Sequence, residues 1–82
     1  MPVQPATAAR SVRRVTAREL EVLALIADGY STREIAQMLW ITDETVRTHV
    51  RRLLSRLGAR TRAHAVAIAY RDGLWTPDQE VD

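Results

Sequence analysis

Seven arginines and not one acidic residue occupy the stretch from Val46 to Arg71. A cluster of one charge at that density is the electrostatic footprint of a protein that binds a polyanion. The guanidinium group is a planar fork of donors, suited to the paired oxygens of a phosphate or to O6 and N7 of guanine. All twelve basic residues are Arg and none is Lys. That choice fits forked recognition, but it also fits a GC-rich coding bias, which the twelve alanines suggest too and which is the simpler account of Arg over Lys. The bias does not explain the clustering. Through residue 71 the arginines outnumber the acids by twelve to six, whereas residues 72–82 hold four acids and no Arg, so the formal net charge of +2 conceals a basic body and an acidic end.

Other chemistries have little to stand on. His49 and His64 are the only histidines, and neither belongs to a metal-ligand spacing such as H-E-x-x-H. With no Cys, thiolate zinc sites, cysteine nucleophiles and a disulfide framework are all removed. No cofactor, metal or catalytic group is expected, and the chain is not expected to be an enzyme. Glu19 beside Arg18 could be read as an acid/base pair, but its place three residues after Thr16 makes it a helix cap. The longest apolar runs, Val22–Ala27 and Ala65–Tyr70, are six residues each, against the roughly 20 that a membrane span needs. No apolar run precedes the arginines of the N-terminal MPVQPATAARSVRR, so a secretory signal is not expected. A cytoplasmic location is the expectation.

The elements that must position the arginines follow from punctuation. At 82 residues, with 46% hydrophobic and 27% charged residues but only 3 Gly and 3 Pro, the chain has the composition of one small folded domain. Every Pro lies outside the stretch from Ala6 to Thr76, leaving helices free to run. Thr16 with Glu19, and Ser31 with Glu34, form S/T-x-x-E capping boxes, while Thr42 and Thr61 can serve as plain N-caps. Gly29, Gly58 and Gly73 each follow an apolar-periodic segment, where a left-handed residue ends a helix. The spacing predicts an all-α fold with four helices near 17–28, 32–39, 43–57 and 62–72. Residues 1–14 read as a flexible basic linker or arm, 15–75 as the folded domain and 76–82 as an acidic tail. Arg10, Arg13 and Arg14 could reach into a minor groove, though an untethered linker is the plainer reading.

Only Trp40, Ile41 and Thr42 separate the second and third helices, which is the helix-turn-helix arrangement. On the third helix Val46, Val50, Leu53, Leu54 and Leu57 fall within an arc of about 100°, an ordinary core stripe. The opposite arc carries Glu44, Arg47, Thr48, Arg51, Arg52 and Ser55, flanked by Thr45, His49 and Arg56. Its donors, and a methyl on Thr48, match what a major groove offers. A merely solvated basic face would look similar; its place on the second helix of a helix-turn-helix favours DNA. Trp40 could give its indole N–H to a phosphate, but packing against the second helix is the favoured expectation. Leu74 and Trp75 are expected to cap the core.

These residues together resemble the LuxR-type (GerE-type) DNA-binding domain, also found at the end of response regulators of the NarL and FixJ kind. The resemblance runs through Thr16-Ala-Arg-Glu-Leu-Glu-Val-Leu, Leu25-Ile-Ala-Asp-Gly29, Ser31-Thr-Arg-Glu-Ile-Ala36, Ile41-Thr-Asp-Glu-Thr-Val-Arg-Thr-His49, Arg56-Leu-Gly-Ala59 and Thr61-Arg62 to Gly73-Leu74. It implies a third helix in the major groove and a fourth helix that makes the dimer contact. Carried onto this chain, it implies base contacts from Arg47, Thr48 and Arg51, and backbone contacts from Thr45, His49, Arg52 and Arg56. Trp40 in the turn and the absence of Lys depart from the family's pattern. Members usually join this domain to one that receives a signal, for which 82 residues leave no room, so a stand-alone regulator and the C-terminal effector domain of a response regulator both remain open.

The function expected is therefore sequence-specific regulation of transcription. Double-stranded DNA is the partner, RNA polymerase an optional further one, and a homodimer forms on DNA through helix 62–72. On that helix Ala65, Val66 and Ala69 turn inward, leaving Ala63, Ala67 and Tyr70 as an outward stripe flanked by His64 and Arg71. Two alternatives stand beside this reading: a promoter-binding domain like sigma-factor region 4, and a protein-interaction module whose basic face only solvates.

Overall fold

The structure, a computed structural model, describes residues 15–73. Four helices follow one another: α1 (Ala17–Ala27), α2 (Thr32–Leu39), α3 (Asp43–Leu57) and α4 (Arg62–Arg71). The described residues are all-α, as the spacing predicts. Residues 1–14 and 74–82, with the expected arm, acidic tail and core cap of Leu74 and Trp75, lie outside the described residues.

Each helix begins where a side-chain oxygen can take an orphan backbone N–H. Thr16 Oγ1 accepts from the Glu19 N–H and Ser31 Oγ from the Glu34 N–H, and both glutamates return the bond to the cap backbone. Thr42 and Thr61 cap α3 and α4 through the N–H groups of Thr45 and His64. The stops are equally regular. After α1, α2 and α3 the chain turns through one residue of positive φ, at Gly29, Trp40 and Gly58. The next N–H then reaches back five residues: Tyr30 to the Leu25 carbonyl, Ile41 to Ala36 and Ala59 to Leu54, at 2.9–3.1 Å. This is the Schellman motif, three times over. Two of its left-handed positions hold the glycines that the sequence marks. The third holds Trp40, at φ 60° and ψ 43°, where the sequence gives no warning, because a bulky side chain is disfavoured in that region.

α3 is the axis of the domain and packs on each of the other three helices. Its buried stripe divides between two clusters. Val46 and Val50 join Val22, Ile35 and Ala36, with Ile26, Leu39 and Ile41 packed against them, and this cluster locks α2 and α3 into one unit against α1. Leu53 and Leu57 join Leu23, Ala65, Ile68 and Ala69, fastening the far end of α3 to α1 and α4. Leu54, half-buried, touches both. The expected core stripe is thus present, and the arc opposite it is left for other work. No described helix is long and apolar enough to cross a membrane.

Candidate nucleic-acid interface

The site is the face of α3 that the core does not use. Val46 and Val50 anchor the N-terminal half of the helix from below, so Arg47 and Arg51, one helical turn apart, stand on the exposed side. Thr48 is half-buried between them, and Arg51 Nη2 donates to its Oγ1 at 3.4 Å. Arg47 Nη1 donates to Glu44 Oε1 at 3.5 Å, an exposed pair within a helical turn. Such a pair is worth little in water and yields readily to a competing acceptor. Arg52 is exposed on the same side. Thr45 Oγ1 lies 2.8 Å from Thr42 Oγ1 at the start of the helix. His49 is half-buried, and its Nδ1 is enclosed without a hydrogen-bond partner among the described residues.

Arg56, expected at the DNA backbone, has a partner within the fold. Its Nη1 stands 2.6 Å from both carboxylate oxygens of Glu19, which is 2% exposed and is the one buried charged residue among those described. A buried carboxylate without a cation beside it would be costly, so this guanidinium supports the fold through Nη1 while its side chain stays 34% exposed. The physical reason lies in position: Arg56 is on the C-terminal half of α3, where the helix turns against α1. Glu19 accordingly does two jobs, as capping residue and as the anchor for Arg56. Sequence reasoning found only the first, since the partners are 37 residues apart. It also missed the bond from Arg62 Nη2 to Thr32 Oγ1 at 2.7 Å, which ties the start of α4 to the start of α2.

The expected packing of Trp40 against α2 is corrected by the structure. The side chain is 93% exposed, the most exposed of the large hydrophobic residues described, because the left-handed turn at residue 40 carries it away from the core. On α4, Ala65 and Ala69 are buried with Ile68, Val66 is half-buried, and Ala63, Ala67 and Tyr70 are exposed. His64 Nδ1 accepts from the Arg60 N–H, and Arg71 Nε donates to Asp72 Oδ1. Among the described residues no group of three or more His, Asp or Glu side chains is arranged to hold a metal ion.

Four capped helices, a three-residue turn and an arginine-bearing outer face on the helix after it define a helix-turn-helix domain. Residues 14–69 match the family of bacterial regulatory proteins known as the luxR family, and the chain belongs to that family. It is also similar to the response regulator protein VraR of Staphylococcus aureus, Staphylococcus saprophyticus and Staphylococcus epidermidis, with 48% identity over 60 residues in each case. Those residues are 73% of this chain and 29% of each relative, so the chain spans less than a third of the proteins it resembles. Membership decides between the LuxR-type reading and the sigma-like one in favour of the former.

Proposed function

We propose that the domain binds duplex DNA with α3 in the major groove and serves as the DNA-binding part of a cytoplasmic transcription regulator. The observation that carries this is the division of α3 into a buried stripe (Val46, Val50, Leu53, Leu57) and an opposite face on which Arg47, Arg51 and Arg52 are all exposed. In this reading Arg47, Thr48 and Arg51 meet base edges, and Thr45, His49 and Arg52 meet the sugar-phosphate strands. Arg56 is left to Glu19. Likeness to response regulators supports a signal-receiving partner domain in the whole regulator, and contact with RNA polymerase belongs to that larger protein. No catalytic step is assigned.

The domain works as a homodimer on DNA through α4. Ala63 and Ala67 are small enough to let two helices approach closely, and Tyr70 supplies a larger contact. So small a patch falls short of the roughly 1,200 Å² of a stable interface, so the isolated chain is monomeric in dilute solution and pairs on its operator. Two copies of α3 then enter successive major grooves, about 34 Å apart. Selection of duplexes from a random pool by the purified chain, followed by binding measured across salt concentration, tests the reading. An inverted repeat bound with a steep salt dependence is the result expected, and no selected sequence with no salt dependence would leave only the protein-interaction reading. Ala67→Glu should abolish cooperative binding to the full site and leave half-site affinity nearly unchanged; equal full-site affinity would remove the α4 dimer.

A further inference from the structure

Trp40 is the residue that neither the fold nor the proposed groove contacts account for. Its left-handed backbone is one that glycine adopts freely and a bulky residue does not, so helix termination alone would favour a smaller side chain. Its ring adds nothing to the core, being 93% exposed. A large apolar surface held in water by a strained turn is explained by something that covers it outside the monomer.

Position says what that is. Trp40 is two residues before Thr42, the N-cap of α3, at the elbow between the helix that crosses the DNA backbone and the helix that enters the groove. Donors surround this elbow alongside the exposed Met38 and Glu44: Arg33 and Gln37 share one exposed face of α2, and the hydroxyls of the exposed Thr42 and the half-buried Thr45 stand 2.8 Å apart. The indole fits that company, because its Nε1–H donates and cannot accept, which suits a phosphate oxygen, while its flat face suits the apolar side of a deoxyribose. Of the two acids in the first turn of α3, which would oppose a nearby phosphate, Glu44 is paired with Arg47 and Asp43 is half-buried.

We propose that Trp40 contacts the DNA backbone, its ring against the sugar of a strand bordering the groove that α3 enters and its Nε1–H on a phosphate of that strand. This rests on the DNA-binding reading and adds a neutral contact to it. Neutrality gives the contact a signature: losing it weakens binding to every sequence alike, as losing a phosphate arginine does, but displaces no counterion and leaves the salt slope unchanged.

The test uses the full chain, its Trp40→Ala and Trp40→Phe variants, a duplex selected by the parent protein and a random duplex of equal length. Trp40→Ala should bind both duplexes about tenfold more weakly, the loss of one hydrogen bond with its packing, at unchanged salt slope and unchanged melting temperature. Trp40→Phe, which keeps a ring without the donor, should fall between. In a Trp75→Phe background, adding duplex should shield the remaining tryptophan from acrylamide. If the parent binds with normal salt dependence while Trp40→Ala binds both duplexes equally well and Trp40 stays open to quencher, the proposal is wrong and another partner covers the ring. A loss confined to the selected duplex would overturn it too, making Trp40 a base reader. A parent that binds no duplex removes the DNA reading itself and this contact with it.

Discussion

The two ends of α3 use the same side chain for opposite purposes. Toward the start and middle of the helix Arg47 and Arg51 are exposed, held only by weak bonds to Glu44 and Thr48 that a ligand can replace. In the C-terminal half Arg56 is bound at 2.6 Å to the buried carboxylate of Glu19 on α1. The difference is set by what lies beneath each half. Val46 and Val50 pack into a cluster made with α2, which leaves the outer face of that half unopposed. Leu53 and Leu57 pack against α1 and α4, which bring Glu19 within reach of the helix's flank. Arginines along one helix thus meet different surroundings, set by what packs beneath each of them.

The comparison breaks most completely at its foundation. Leu53 is fully buried where α1, α3 and α4 meet, and truncating it to Ala should cost about 2 to 5 kcal/mol, a large share of the stability of so small a domain. Thermal unfolding followed by circular dichroism should show the transition lost or moved far down. An unchanged melting temperature would reverse the assignment of the two faces of α3.

The next largest effect separates the two kinds of arginine. Arg56→Ala leaves the Glu19 carboxylate buried and unpaired, at a cost of about 2 to 3 kcal/mol, below the full range for a broken buried pair because Arg56 is 34% exposed. Adding Glu19→Gln should restore part of that loss in chemical denaturation, which a solvated Arg56 would not show. Arg47→Ala, by contrast, should leave stability within about 0.5 kcal/mol and lower affinity for a selected duplex by about 1 to 3 kcal/mol. Competition binding against random DNA checks the second half.

The smallest effect concerns how α3 is started. Thr42→Ala removes the hydroxyl that takes the Thr45 N–H at 3.0 Å and should cost about 1 kcal/mol of stability. Replacing Thr42 by Ser, which keeps the oxygen, should recover most of it in the same melt.

The four helices were legible because their signals are local: capping boxes at Thr16 and Ser31, N-caps at Thr42 and Thr61, and left-handed glycines at 29 and 58. α1 and α4 each end one residue earlier than the spacing predicts, since Asp28 and Asp72 are caps. The exposed face of α3 was legible through its helical period. The pairing of Arg56 with Glu19 was not, because the partners lie 37 residues apart. Trp40 was misread for the reverse reason: an isolated Trp in a turn normally packs inward, and the left-handed conformation that turns it outward is one that sequence assigns to Gly or Asn.

The central claim is that Arg47, Thr48 and Arg51 of α3 read bases while their neighbours hold the backbone, and the direct measurement is the binding of Arg51→Ala and Arg52→Ala to selected and random duplexes over a range of salt. Arg51→Ala should lose about 1 to 3 kcal/mol on the selected duplex and little on the random one. Arg52→Ala should weaken both equally and reduce the salt slope by about one. If Arg51→Ala lowered both affinities by the same factor, the base-reading face would not be where the geometry puts it.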